Sequence, residues 1–200
     1  MRELSKKVIG ITGNIATGKS SVSDYLVNKG YHVVDTDKIN QIIFDTDDDY
    51  KEKLILLFGN EILNKGKIDK KLLSKVVFND KKKLEQLNSV SHPLIKRIVD
   101  QDIAKNKGII FVDAPLLFES NFDYIADEII VVATREDLQL ERLLKRNKYS
   151  KEEALKRINS QMKLDDKIKR ADYVINNNGS LSKLYQQVDK ILVAIEKEVK

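Results

Sequence analysis

The sequence predicts an α/β fold in which a parallel five-stranded sheet is covered by helices. Short apolar runs alternate with helical patterns along the chain, as is typical of strands joined by helical crossovers. The first of these runs is followed at once by a glycine-rich turn and then by a helical pattern. Ligands of such sheets bind at the carboxyl ends of the strands, so this turn marks the expected binding edge.

Five apolar runs are the candidate strands, namely residues 8–12, 31–35, 108–113, 128–133 and 172–175. We expect the second strand to lie beside the first, so that its end faces the glycine-rich turn. More than seventy residues separate the second run from the third, far more than a simple crossover needs. The excess predicts a helical substrate-binding insertion, with helices over residues 49–58, 70–78 and 82–106. Pro93 should kink or break the last helix.

A second long gap, before the last strand, predicts a helical lid. Helical patterns cover residues 135–147 and 150–162, and Ser150 with Glu153 forms a capping-box signature at the start of the second. Both helices are basic and joined by a short turn. The chain is thus predicted to be a single domain over residues 1–200. Its parts are a nucleotide core (1–36, 107–139, 171–200), the insertion (37–106) and the lid (140–170).

Composition narrows the class of protein. The 200 residues include no cysteine, which excludes disulfides, thiol catalysis and thiolate metal sites. The net charge is +5, but lysines alternate with acidic residues and aromatic residues are few, which favours a solvated surface over a nucleic-acid site. A charged start and the absence of an apolar membrane-length window predict a cytoplasmic protein without a membrane partner. We expect a monomer or a weak homo-oligomer.

The turn after the first strand fits the pattern G-x-x-x-x-G-K-[ST] from Gly13 to Ser20. Its glycines let the backbone approach a phosphate, and the amides at the helix start attract the anion. Lys19 is expected to reach the β- and γ-phosphates and Ser20 to hold Mg²⁺. A chance turn is the alternative, but the flanking strand and helix argue against it. The sequence therefore predicts a P-loop NTPase three-layer fold that uses ATP and Mg²⁺. The expected ATP-binding residues in this loop are Asn14, Ile15, Ala16, Thr17, Gly18, Lys19, Ser20 and Ser21.

Two other predicted strands end in carboxylates. Asp113 follows four apolar residues, as expected of a Mg²⁺ ligand, although it could instead cap the turn before Pro115. Asp35 and Asp37 end the second strand, where a carboxylate could align an acceptor hydroxyl and take its proton. Spacing alone leaves open whether either residue simply caps a helix that starts near Lys38.

Three further features have both a functional and a structural interpretation. Arg142 and Arg146 share one helical face and suit phosphate, yet each alone is better explained as solvent-facing charge. His92 precedes proline, where a local structural contact is commoner than catalysis. The asparagine-rich residues 176–179 form a turn signal and could also bring amide groups near a base.

Together these segments resemble the dephospho-coenzyme A kinase family, which carries out the last step of coenzyme A synthesis. The phosphate loop alone is generic, whereas the runs 115–119, 92–94 and 177–179 are more specific. The full set of similar segments is 10–20, 34–37, 92–95, 113–119, 139–143, 157–161 and 171–179. The resemblance implies transfer of the ATP γ-phosphate to the ribose 3′-hydroxyl of dephospho-coenzyme A, by a core, a coenzyme A lobe and a lid.

The resemblance also implies roles for individual residues. Asp37 is the expected base, Lys19 and Arg142 are the other expected catalytic residues, and Arg142 and Asn177 are expected to contact ATP. The implied substrate-binding residues are Thr12, Asp37, His92, Pro115, Leu116, Leu117 and Glu119, and the metal ligands are Ser20 and Asp113. Two departures stand out: Gln41 occupies a position where the family often has arginine, and Asn14 and Ala16 replace the small residues usual after Gly13.

Other nucleotide-binding classes fit less well. A nucleoside monophosphate kinase would share the loop and the lid but lack the segments at residues 92–94 and 115–119. A GTPase should carry Asn-Lys-x-Asp, and neither Asn106-Lys107 nor Asn147-Lys148 is followed by aspartate at the required position. A nucleic-acid ATPase should show clustered basic and aromatic residues, and this sequence does not.

Overall fold

The computed structural model describes residues 6–78, 80–147 and 149–199. The elements are, in chain order, β1 (Lys7–Thr12), α1 (Lys19–Asn28), β2 (His32–Asp35), α2 (Thr36–Thr46), α3 (Asp48–Phe58), β3 (Leu63–Asn64), β4 (Lys67–Ile68), α4 (Lys70–Phe78), α5 (Lys81–Lys105), β5 (Ile109–Asp113), β6 (Glu128–Ala133), α6 (Glu136–Asn147), α7 (Lys151–Asn159), α8 (Leu164–Ile168), β7 (Tyr173–Asn176) and α9 (Leu181–Val199). No helix in the described ranges is long and apolar enough to cross a lipid bilayer.

The predicted parallel five-stranded sheet is confirmed, with the strand order β2-β5-β1-β6-β7. The expectation that β2 lies beside β1 is wrong, because β5 separates them and Asp35 is paired in register with Asp113. Burial explains the order. Ile110, Phe111 and Val112 of β5 have no exposed surface, as a central strand requires, whereas the short β2 begins with the half-buried His32.

Helices α1 and α9 pack on one face of this sheet. Side chains of β1, β5, β6 and β7 meet apolar positions of both helices in a single cluster formed by Ile9, Ile11, Val22, Leu26, Phe111, Ile130, Val132, Ile175, Leu184, Val188, Leu192 and Ile195. Neighbouring residues of a strand point to opposite faces, so Gly10 faces the other side of β1. A Cβ atom there would lie 3.0 Å from Leu117 Cδ2 and 3.2 Å from Ala126 Cβ, so residues 114–126 pack tightly against that side.

The chain divides into two compact units, one of residues 1–35 and 102–200 and the other of residues 36–101. The second unit has its own core, formed by Ile39, Ile43, Tyr50, Leu54, Phe58, Ile62, Leu73, Val77, Ile95 and Val99. Its small antiparallel hairpin, β3–β4, was not predicted. Lys65 and Gly66 connect the two strands with φ of 52° and 77°, as a tight primed turn requires.

Helix α5 does not end at Pro93, so the predicted break does not occur. Proline removes one backbone donor, but the turns on both sides of it are held by burial. Ser91 is buried and its hydroxyl donates to the Leu87 carbonyl at 2.9 Å, while Ile95 and Val99 lie in the core of the second unit.

The helices predicted for the lid segment form, and the capping box is confirmed. Ser150 Oγ accepts a hydrogen bond from Glu153 N at 3.1 Å, and Glu153 Oε2 accepts one from Ser150 N at 3.0 Å. The helix predicted to reach residue 162 ends at Asn159, and the separate helix α8 follows. Between these two helices, Gln161 and Met162 form hydrogen bonds with the phosphate loop.

Candidate active site

The loop between β1 and α1 has the backbone geometry of a phosphate-binding loop. The Asn14 carbonyl accepts hydrogen bonds from Thr17 N at 3.2 Å and Thr17 Oγ1 at 2.8 Å, which curls the loop. Gly18 precedes α1 with a φ of 94°, and a Cβ atom there would collide with the Asn177 side-chain amide. A Cβ atom on Gly13 would lie 2.5 Å from the Val132 carbonyl oxygen. Both glycines are therefore required by close contacts.

Two buried side chains hold backbone carbonyl groups of this loop. Asn177 Nδ2 donates to the Thr17 carbonyl and Gln139 Nε2 donates to the Ile15 carbonyl, each at 2.8 Å. The first N–H groups of α1 have no acceptor within the helix. Loop carbonyls are thus held by protein, while the helix start presents donors and the positive end of its dipole. This arrangement fits a phosphate group.

Lys19 and Asp113, predicted from separate motifs, lie side by side. Lys19 Nζ forms an ion pair with Asp113, whose Oδ2 also accepts a hydrogen bond from Ser23 Oγ at 2.5 Å. No group of three or more acidic, histidine or cysteine side chains in the described residues is arranged to hold a metal. Mg²⁺ commonly takes one or two protein ligands and completes its shell with phosphate oxygens and water. The oxygen donors of Ser20 and Asp113 suit that chemistry.

The segment after β5 lies against β1, and we call residues 115–119 the acceptor segment. Thr12 Oγ1 donates to the Pro115 carbonyl at 3.1 Å. Leu117 is fully buried, whereas Leu116 is 47% exposed. Glu119 Oε1 accepts a hydrogen bond from Met162 N at 3.0 Å. Leu116 therefore offers apolar surface, while Thr12 and Leu117 set the position of the segment.

Arg142 differs from the other arginines of the lid segment. Its Nη2 donates to the Asn177 carbonyl at 2.9 Å and its Nη1 to Thr134 Oγ1 at 3.4 Å. Arg146 is exposed and contacts Asn147, and Arg157 lies over the Tyr149 ring. Arg142 is thus connected to the phosphate loop through Asn177, which in turn holds Thr17.

A comparison with known protein families identifies the family of this chain. The model of the family described as dephospho-CoA kinase matches residues 7–183. The chain belongs to the dephospho-CoA kinase family. The dephospho-CoA kinase of Fusobacterium nucleatum is 43% identical over 194 residues, which cover 96% of this chain and 100% of that protein.

Solved structures agree with this family assignment. The dephospho-CoA kinase of Campylobacter jejuni has a TM-score of 0.70 and 30% identity, covering 98% of this chain and 100% of its own. A protein of Thermus thermophilus reaches a TM-score of 0.85 at 32% identity, covering 96% of this chain and 98% of its own. The predicted resemblance and the predicted fold class are thereby confirmed.

Two residues with predicted roles in the family lie in the second unit. Helix α2 begins at Thr36, so Asp37 lies inside its first turn. His92 lies on α5, half-buried, and burial lowers its pKa. Its imidazole is therefore neutral at pH 7, as suits a structural contact or a hydrogen bond to substrate. The roles of both residues stay predictions.

Three residues at the site were given no role from the sequence: Gln139, Gln161 and Lys167. Gln139 and Gln161 lie in family-like segments, but on basic helices they look like ordinary surface residues. Gln161 Oε1 accepts a hydrogen bond from Ile15 N at 2.7 Å. Lys167 follows two aspartates and so looks solvent-exposed, yet it has no exposed surface. The signal that could have identified Gln139 and Gln161 is their place in the family-like segments 139–143 and 157–161.

Proposed function

We propose that this chain transfers the γ-phosphoryl group of ATP to the ribose 3′-hydroxyl of dephospho-coenzyme A, giving coenzyme A and ADP. The observation that carries this proposal is the meeting of two motifs. Strands β1 and β5 are neighbours, with Ile11 in register with Asp113, so the phosphate loop and the acceptor segment leave the sheet together. A generic phosphate loop and a family-specific segment thus share one edge.

The proposed chemistry gives a role to each residue that the motifs and the family resemblance identify. Asp37 takes the proton of the ribose 3′-hydroxyl while the hydroxyl oxygen bonds to the γ-phosphorus. The bond between the γ-phosphorus and the leaving ADP oxygen breaks. Lys19 stabilises the negative charge that develops on the transferring group. Ser20 and Asp113 would hold Mg²⁺, which would neutralise phosphate charge when bound. Arg142 acts from the lid side, and closure of the lid keeps water away from the γ-phosphate.

The setting of the reaction is part of the same proposal. We infer that the protein acts in the cytoplasm, as a monomer or a weak homo-oligomer, on a small molecule rather than on nucleic acid. The mixed distribution of lysine and acidic residues supports the small-molecule assignment, because nucleic-acid surfaces cluster their positive charge.

A panel of acceptors tests the proposed substrate. The purified protein with ATP and Mg²⁺ is offered dephospho-coenzyme A, pantetheine phosphate, AMP, CMP and shikimate, and ADP release is measured for each. We expect turnover with dephospho-coenzyme A and none above the ATPase background with the others. Turnover of AMP or CMP, with dephospho-coenzyme A inert, would contradict the proposal and favour a nucleoside monophosphate kinase.

Arg142→Ala is expected to lower kcat more than it weakens binding of ATP. The guanidinium charge is proposed to act mainly on the transition state, and its loss also frees the Asn177 carbonyl behind the loop. Calorimetry gives the ATP affinity, and a coupled assay gives kcat on the same preparation. Arg146→Ala is the matched control, since that arginine is exposed on the same helix. An unchanged kcat in Arg142→Ala would leave this arginine as a bystander or a simple anchor.

A further inference from the structure

Lys167 on α8 is a charged residue without exposed surface. Its Nζ donates to the Pro115 carbonyl at 3.0 Å and forms an ion pair with Glu119 Oε1 at 2.9 Å. Both partners belong to the acceptor segment. Burial lowers the pKa of the Lys167 ammonium, and the positive charge of nearby Lys19 adds to this effect, while Glu119 opposes it. The ammonium therefore depends on its two acceptor-segment partners for compensation.

The Glu119 carboxylate connects Lys167 to the phosphate loop. Its Oε1 accepts hydrogen bonds from both Lys167 and Met162 N, the latter at 3.0 Å. The Met162 carbonyl in turn accepts from Asn14 Nδ2 at 3.0 Å. Gln161, one residue earlier, accepts from Ile15 N. A continuous path of polar contacts thus runs from α8 through the acceptor segment to the phosphate loop.

Burial of the Lys167 ammonium group costs desolvation free energy that the packing of a helix does not require. An apolar side chain of similar length would fill the same space without desolvating an ammonium group, so packing alone does not explain a buried lysine. A buried ion pair does fix the relative position of its two partners, because its attraction and its hydrogen bonds are satisfied in only one arrangement. In this site that arrangement fixes Glu119 and the Pro115 carbonyl, the two ends of the acceptor segment.

We propose that Lys167 is a positioning residue for the acceptor site, which acts through Glu119 and the Pro115 carbonyl. It holds the acceptor segment at a fixed distance from the phosphate loop, so that the hydroxyl to be phosphorylated meets the γ-phosphate. This inference rests on the proposed function. It predicts that loss of the charge impairs use of dephospho-coenzyme A while binding of ATP alone is preserved.

The test compares Lys167→Met, Lys167→Arg and the matched control Lys169→Met, whose lysine is exposed and pairs with Asp166. In Lys167→Met we expect kcat/KM for dephospho-coenzyme A to fall roughly 10- to 100-fold, as small displacements of a reacting group do. ATP affinity, measured by calorimetry, should change by less than about threefold, since the interaction lost is not made with ATP. Lys167→Arg should recover most of the loss because it keeps the charge and the donors.

Lys167→Gln keeps the test decisive if Lys167→Met does not fold, because its amide can still donate a hydrogen bond while the charge is lost, and we expect the same selective loss toward dephospho-coenzyme A. Glu119→Gln removes the ion pair from the other side but retains an oxygen that can accept from Met162 N. Since the resemblance also implies a substrate contact for Glu119, this variant is used in combination with Lys167→Met. Because the two residues act as a unit, Lys167→Met/Glu119→Gln should lose no more than the worse single variant.

Three results would overturn the positioning role. They are a lower melting temperature with unchanged kinetics, an equal loss of ATP affinity, and additive losses in the double variant. Each presupposes that the unsubstituted protein turns over dephospho-coenzyme A. Failure of that reaction in the unsubstituted protein would instead overturn the proposed function itself.

Discussion

Lys19→Ala is expected to fold and to lose most of its turnover of dephospho-coenzyme A. The ammonium group lies at the first residue of α1, at the edge where the phosphate loop and Asp113 meet. Negative charge spreads over the transferring phosphoryl group in the transition state, and a preorganised cation there is worth about 10²- to 10³-fold in kcat. Circular dichroism checks the fold, and a coupled assay measures kcat.

Lys29→Ala provides the matched control at the other end of α1. Lys29 pairs with Asp189 at 2.9 Å on the protein surface and lies over the Tyr25 ring. Exposed ion pairs contribute about 1 kcal/mol or less, so its loss should leave kcat unchanged and stability nearly so. Full turnover in Lys19→Ala would mean that the phosphate loop does not bind the transferred group.

Asp37→Asn is expected to reduce kcat strongly while leaving ATP binding nearly intact. Asparagine keeps the size and the hydrogen-bonding oxygen of the side chain but cannot accept the proton of the 3′-hydroxyl. Loss of a general base typically costs about 10²- to 10⁴-fold in rate. Rapid-quench single-turnover measurements isolate this step from product release, and calorimetry reports the ATP affinity.

Asp35→Asn is the comparison that identifies the base. Asp35 ends β2 in register with Asp113, so it lies at the same edge of the sheet and is the natural competitor. We expect a smaller loss of kcat in Asp35→Asn than in Asp37→Asn. If Asp35→Asn loses far more activity, Asp35 is the base, and the assignment taken from the family resemblance is wrong.

The sheet and the phosphate loop were predictable because their signals are local. Apolar runs of strand length need no partner to be recognised, and Gly13 and Gly18 stand where a side chain would collide. The signals that determine the order of the strands are not local. Whether β1 or β5 adjoins β2 depends on how both faces of β5 are buried, and the sequence offers no measure of that. Pro93 shows the same limit, because packing on both sides carries the helix past a residue that usually ends one.

The side chains that hold the phosphate loop were harder to predict than the loop itself. Gln139 and Lys167 stand among charged residues, where a polar side chain is expected to face solvent. Their burial arises only when distant segments meet: Gln139 contacts Ile15, and Lys167 contacts Pro115. Polar residues buried by tertiary contacts leave no periodic pattern in the sequence. They were therefore identified only from the structure.

The position of the transferred phosphate tests the central claim most directly. The protein is incubated with Mg²⁺, dephospho-coenzyme A and ATP labelled in its γ-phosphate, and the product is analysed by mass spectrometry and phosphorus NMR. We predict one new phosphate monoester, on the ribose 3′-oxygen, that carries the label and appears in equal amount with ADP. A label found only in inorganic phosphate, or on any other oxygen of the acceptor, would contradict the account.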